Sequence, residues 1–276
     1  MRAAAVLCVR NEEVHIRSAL ADLIAEGLDV VLIDHGSGDA TVPIAGEFIG
    51  RGLLGIERLP WVGRFSLVKQ LEAKWRVIDQ LDHDWIVHVD ADEWLGSPEP
   101  GQNLLDGLRA ADAAGYNCVH FNEYVFVPRP GENLYGEDYR RRSTRYYFYR
   151  PEYPFLQRAW KNRAGLDNRE RAGHFLSGPV RMSPRDFHLR HYIFLSAAHA
   201  RRKYLSRRFD QREVEQLWHH DRISATTESL RFPDDERMKF LPHWSSKQFD
   251  EGEPLTQHYW EWASARNPAL ARAESR

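Results

Sequence analysis

Residues Ala3 to Val9 read "AAAVLCV", an apolar run with no polar break. A strand with one face in water alternates apolar and polar residues. A run apolar at every position suits a strand covered on both faces, as in parallel sheets flanked by helices. The segment after it changes period: "RNEE" opens a helix with Ile16, Leu20, Leu23 and Ile24 on one face, and Gly27 is placed to stop it. Val30 to Ile33 form a second apolar run that ends in Asp34, and "HGSGDAT" turns the chain. Asp39 or Thr41 can cap the next helix, and Pro43 suits its first turn. A helix over about 65–81, with Val68, Leu71, Trp75 and Ile78 on one stripe, delivers the chain into "WIVHV". A further helix over 103–114 leads through Gly115 into "YNCVHFNEYVFV". Strand and helix in alternation predict an α/β fold built on a parallel sheet.

From Pro128 the pattern loosens. "RPGENLYGEDYRRRST" is a polar loop without periodicity, "RYYFYRP" and "DFHLRHYIFL" read as strands, and 196–218 read as an arginine-rich helix. Apolar residues make up 42% of the 276, enough for a sizeable core. The formal net charge of −2 argues against a protein that binds nucleic acid by charge alone. Cys8 and Cys118 both sit in strand-like runs and read as core thiols in a reducing compartment. "AAAVLCV" stops at Arg10, Glu12 and Glu13, too soon for a signal segment, and no stretch approaches ~18 apolar residues. The expectation is a cytoplasmic protein, with peripheral contact at the inner face of the plasma membrane left open.

The strand "WIVHV" ends in three carboxylates within four residues: Asp90, Asp92 and Glu93. In open α/β sheets ligands bind at the carboxyl ends of the strands, so Asp34 and this cluster should share one crevice. Unpaired carboxylates repel one another, and a divalent cation between them removes the repulsion. Hard oxygen donors suit Mg²⁺ or Mn²⁺, and Mg²⁺ commonly completes its shell with phosphate oxygens. A metal-bound diphosphate is the ligand this predicts. The bland alternative is that Asp90 and Asp92 cap a helix and Glu93 is solvated, and a D-x-D by itself does not separate the two.

As a set, "AAVLCVRNEE", "VVLIDHGSGDAT" and "WIVHVDADEWL" resemble the three opening signatures of family 2 glycosyltransferases with the GT-A fold, over residues 3–95. "RYYFYRP", "RAWK", "GH" and "FHLRHYIFLSAAHARRKY" resemble, more loosely, the later half of a bacterial branch of that family. The resemblance implies a GT-A, Rossmann-like, mostly parallel sheet with helices on both faces and a mixed C-terminal extension. It divides the chain into a nucleotide-sugar-binding half (1–127), an acceptor-side half of the same domain (128–220), and an extension and tail (221–276).

It also implies roles. Arg10, Asn11 and Glu12 would lie over the nucleotide, with Gly36 in the adjoining turn. Asp34 would bond base or ribose, Asp90 would face ribose and metal, and Asp92 would bind Mn²⁺ or Mg²⁺. His191, the histidine of "RHY", would complete the metal site; if "FHLRHY" is a strand, His188 points the other way. The activity implied is transfer of a sugar from a nucleotide-sugar donor, UDP-linked, to a hydroxyl of a glycan or lipid-linked acceptor, with inversion, in cell-surface polysaccharide or glycolipid synthesis. Inversion needs a base for the acceptor hydroxyl. Asp167 lies at about the right place, with Glu123 its rival and Asp138 a third candidate.

The remaining candidates keep two readings each. Lys69 and Lys74 can reach phosphate or snorkel to water. Arg140, Arg141 and Arg142 can clamp a diphosphate or sit in a solvated loop. Trp160, Lys161 and His174 can meet the acceptor, or belong to core and turn. Arg201, Arg208 and Arg212 fall near one helical face, which can be solvated or can rest on anionic lipid at roughly 1 kcal/mol per cation. Two other classes compete: a non-catalytic binder of nucleotide sugars or glycans, and a metal-dependent phosphohydrolase. The latter wants its D-x-D at the first strand, where this chain has Arg10 and Asn11.

Overall fold

The structure, a computed structural model, describes residues 1–261 apart from 137, 154–155, 212–214, 216–225 and 228–229. In chain order its elements are β1 (Ala3–Val9), α1 (Ile16–Ala25), β2 (Asp29–Asp34), α2 (Thr41–Gly46), β3 (Leu53–Arg58), α3 (Leu67–Ile78), β4 (Trp85–His88) and β5 (Glu93–Gly96). There follow α4 (Leu104–Ala113), β6 (Cys118–Phe126), α5 (Tyr139–Arg142), β7 (Arg145–Tyr149), β8 (Ala159–Lys161), β9 (Met182–His191), α6 (Ala197–Ala200) and β10 (Lys239–Phe240). The chain divides into two units, Met1–Asn122 with Phe155–Arg190 and Glu123–Pro154 with His191–Arg276.

The first unit carries the α/β architecture. β4, β1, β2 and β3 lie side by side and parallel, with β1 between β2 and β4. β8 adds antiparallel to β4, and the start of β6 pairs antiparallel with β8. All of β1 is buried, and its pleat sorts the side chains. Ala3, Ala5, Leu7 and Val9 pack with Ile16, Leu20 and Leu23 of α1 and with Leu104 and Leu108 of α4. Ala4, Val6 and Cys8 pack with Ala73 and Ile78 of α3. Helices therefore cover both faces, the arrangement for which an unbroken apolar run is suited. Two expected helix starts take their capping residues: Ser66 Oγ accepts from Lys69 N, and Asn103 Oδ1 from Asp106 N. At α2 the N-cap is Ala40, without a side-chain cap; Asp39 Oδ1, one residue earlier, accepts from both Thr41 N and Thr41 Oγ1.

The second unit is built on aromatic packing. The end of β6 pairs with β7 from Glu123↔Tyr149 to Phe126↔Tyr146, and β10 adds to β7. Tyr124 stacks on Phe249 at 3.6 Å and on Phe148 at 5.4 Å. Val125, Tyr147, Phe194, Tyr204, Tyr259 and Trp260 form its buried cluster. Arg145 is buried and satisfied, by Asp235 at 2.6 Å and the Pro128 carbonyl at 2.8 Å. The expected long helix over 196–218 is interrupted: α6 runs into one wide π turn, Arg201–Leu205, and 206–210 are not helical, while 212–214 and 216–218 lie outside the described residues. That turn carries Tyr204 against Phe194, ring centroids 4.9 Å apart. Arg212, part of the expected basic face, lies outside the described residues. The stretch read as a polar loop without periodicity contains the short helix α5. No helix among the described residues is long and apolar enough to cross a membrane.

Candidate functional site

The parallel register aligns the strand ends. Val9 pairs with Asp34, the last residue of β2, and Val6 pairs with His88, the last of β4. Asp34 and the 90–93 motif therefore flank the carboxyl end of β1, one strand to each side. Cys8 lies between them. Burial pushes its thiol up to about 12, with Lys74 opposing the rise and Asp90 and Asp34 adding to it.

On the β2 side, Asp34 is buried and its Oδ1 accepts from Ser37 N at 2.9 Å. Asn11 takes a left-handed φ of 57°, which turns the chain out of the strand. Its backbone N donates to Ser37 Oγ and its Oδ1 accepts from Gly38 N, lacing the two loops together. Glu12 N donates to Thr41 Oγ1 at 2.8 Å. Gly36 has φ +70°, and a Cβ there would come 2.7 Å from the Trp61 Cβ. That space admits Trp61, over whose ring the Arg10 guanidinium lies at 4.0 Å. His35 meets the same ring edge-on at 5.0 Å and pairs with Gln70 at 3.1 Å. Burial, and then Arg10, push His35 down to about 4, so it is neutral at pH 7. Lys69 stands exposed, within electrostatic reach of His35.

On the β4 side, two basic side chains face the acids. Lys74 Nζ and Arg158 NH2 each lie 3.7 Å from an Asp90 carboxylate oxygen, and Asp90 itself is half exposed at 48%. Glu93 is buried: Oε1 accepts from Arg158 NH2 at 2.6 Å and Oε2 from Asp90 N at 2.9 Å. Glu93 is thus not the solvated acid of the bland reading; it holds the turn from inside. Lys74 neither snorkels nor reaches outward. It is buried on α3, 3.2 Å from the Val89 carbonyl and 3.3 Å from His88 Nε2, and burial lowers its pKa while Asp90 raises it. Asp92 is 6% exposed. Among the described residues no three His, Cys, Asp or Glu side chains form a ready-made metal cage. The donor set still fits a hard ion that takes one or two carboxylates and completes its shell with phosphate and water.

The other candidates separate. Asp167 engages both carboxylate oxygens with Arg169 Nε and NH2, at 2.5–3.1 Å; burial raises its pKa, but the Arg169 side chain and backbone N–H together hold it below the usual carboxylate value. Trp160, read as an acceptor platform, is a core residue at 1% exposure, lying 6.1 Å from Trp75 and nearly parallel to it. Lys161 pairs with Asp112 at 2.7 Å. His174 is exposed on the turn after Gly173, and its carbonyl accepts from Gln157 N. Glu123 and His191, given separate roles by sequence, form one pair in the second unit, with Nδ1 2.6 Å from Oε1. Asp138 and Arg142 pair at 3.8 Å; Arg140 is buried over Tyr139, and Arg141 faces Trp244. Sequence reasoning missed Arg158, His88 and Asn168, because their partners lie 65 to 93 residues away along the chain.

No protein-family profile matches the sequence, and no curated protein matches it. Among solved structures the chain is similar to S. aureus TarS in complex with UDP-GlcNAc, at 18% identity over 47% of this chain and 38% of that one, with a TM-score of 0.36. It is similar to S. aureus TarS 1-349 at 12% identity over 75% and 65%, TM-score 0.43. It is also similar to an active site mutant of LgtC at 13% identity over 43% and 45%, TM-score 0.28. The matched part thus spans less than two thirds of each of these chains.

Proposed function

We propose that the first unit is the donor-binding part of a GT-A-type glycosyltransferase, and that it takes a UDP-linked sugar and passes the sugar to a hydroxyl acceptor. The observation that carries this reading is the pair of acids, Asp34 and Asp90, on either side of the carboxyl end of β1. On this reading the base lies near Arg10 and Trp61, Asp34 bonds base or ribose, and Asp90 faces the ribose. Because Asp90 already meets Lys74 and Arg158, we assign the metal to Asp92. A bound Mg²⁺ or Mn²⁺ would neutralise charge on the departing diphosphate. Arg158 holds Glu93 and thereby the turn that presents Asp92. Asp167, spent on Arg169, is proposed as a brace of its loop and not as the base. The Glu123–His191 pair, Nδ1 2.6 Å from Oε1 in the second unit, is the other candidate acid–base unit, its carboxylate fixing the orientation of the ring. A glycan or lipid-linked acceptor and peripheral contact with anionic membrane belong to the same proposal.

The experiment is Asp92→Ala assayed beside wild type. Transfer is abolished while circular dichroism and melting are unchanged, and excess chelator does the same to wild type. Full activity in both tests defeats the metal assignment. Slow hydrolysis of the donor without acceptor separates this reading from a non-catalytic binder, which leaves the donor intact.

A further inference from the structure

A chain of four buried or half-buried side chains leads from the 162–178 loop to Asp90. Trp75 Nε1 lies 2.8 Å from Asn168 Oδ1, Asn168 Nδ2 lies 3.1 Å from His88 Nδ1, and His88 Nε2 lies 3.3 Å from Lys74 Nζ. The donor and acceptor inventory fixes the direction of every link. An indole N–H only donates, so the amide oxygen of Asn168 must face Trp75 and its NH₂ must face His88. Nδ1 of His88 then accepts and carries no hydrogen. A neutral imidazole places its single hydrogen on the other nitrogen, so Nε2–H points at Lys74.

The geometry assigns His88 and Asn168 as positioning residues that hold Lys74 against Asp90, with Lys74 accepting from His88 Nε2–H as an amine. Nζ spends its lone pair on that bond. Its own hydrogens are then aimed at the Val89 carbonyl, 3.2 Å away, and at Asp90, 3.7 Å away. Arg158, 3.7 Å from the other Asp90 oxygen, faces it as a cation. Burial of His88 and Lys74 runs the same way, since it disfavours a charge on either. The packing is close: Gly173, with φ +74°, has no Cβ, and one there would sit 3.0 Å from His88 Cε1, so the glycine lets the loop lie against the ring. The relay sets the place of a residue that the proposed function puts at the donor ribose, and its consequence for binding rests on that reading.

The test uses the full chain with ¹⁵N-labelled histidine. His88 is assigned by the signals lost in His88→Gln, and its two ring nitrogens are told apart by their couplings. Wild type is expected to show a bare Nδ1 and a protonated Nε2. In Asn168→Asp the carboxylate accepts from both Trp75 and the ring, and His88 is expected to switch to Nδ1–H. A wild-type Nδ1–H ring or an imidazolium overturns the assignment, as does a ring that does not switch in Asn168→Asp. If that variant fails to fold, the wild-type spectrum still decides. Calorimetry with UDP and Mn²⁺ reads the consequence: Asn168→Asp is expected to bind about tenfold more weakly, the scale on which outer hydrogen-bond partners act on the groups they orient. Equal binding with a switched ring overturns the positioning role. No binding of UDP by wild type overturns the proposed function and leaves the ring spectrum to judge the relay.

Discussion

Arg158 and Glu93 show what a buried ion pair does for a functional turn. Both are nearly inaccessible, and the pair anchors the backbone N–H of Asp90 as well. Removing one partner strands the other charge, so Arg158→Met should cost about 3–5 kcal/mol, read as a fall in the urea midpoint. Adding Glu93→Leu to Arg158→Met should return part of that loss. His35 gives a pH-dependent prediction. Its folded pKa of about 4 lies below the ordinary 6.5, so between these values the unfolded chain binds the extra proton. Its contribution to stability is therefore intact above about 6.5 and is lost as pH falls toward about 4. In His35→Gln the midpoint should fall less over that interval; parallel curves would show that His35 is not buried neutral. At this scale the sequence was half readable. Asp34, Asp90 and Asp92 could be picked out because they interrupt apolar runs. Arg158 could not, because nothing local marks an arginine whose partner is 65 residues away.

Among elements, legibility followed burial. β1 and β2 are buried almost throughout and read as apolar runs; α1 and α4 show clean helical stripes. β3 escaped because it is the outer strand of the parallel set, with Leu54, Glu57 and Arg58 exposed and no pattern to set it apart from a loop. α3 was read correctly, yet its buried face includes Lys74, which a hydrophobic stripe does not announce. The turn after β2 makes a sharp prediction. Gly36→Ala meets both a left-handed φ and a contact of 2.7 Å with Trp61. It should destabilise the protein by about 1–3 kcal/mol, seen in melting, and should quench or shift the Trp61 fluorescence as that ring is displaced. An unchanged melt would mean the loop relaxes freely.

For the whole molecule, the consequence of the proposed function is a linked stability. A ligand that binds only the folded state stabilises it by about 2.7 kcal/mol at one hundred times its dissociation constant. UDP-sugars with Mn²⁺ should raise the melting temperature, UDP-sugars in chelator should raise it less, and Mn²⁺ alone should do little. Equal shifts with and without Mn²⁺ would remove the metal from the reading. The first unit follows from pattern because its contacts are strand-to-neighbouring-helix. The second unit follows from packing among Tyr124, Phe148, Phe249 and Trp260, residues gathered from far along the chain, and no period in the sequence encodes that. Cys8 and Cys118 are the only cysteines, both are buried, and burial holds each thiol up at about 12. Since alkylating reagents attack the thiolate, the native protein should be inert to maleimides. A dye or spin label can thus be attached at one engineered surface cysteine with both natural thiols left in place.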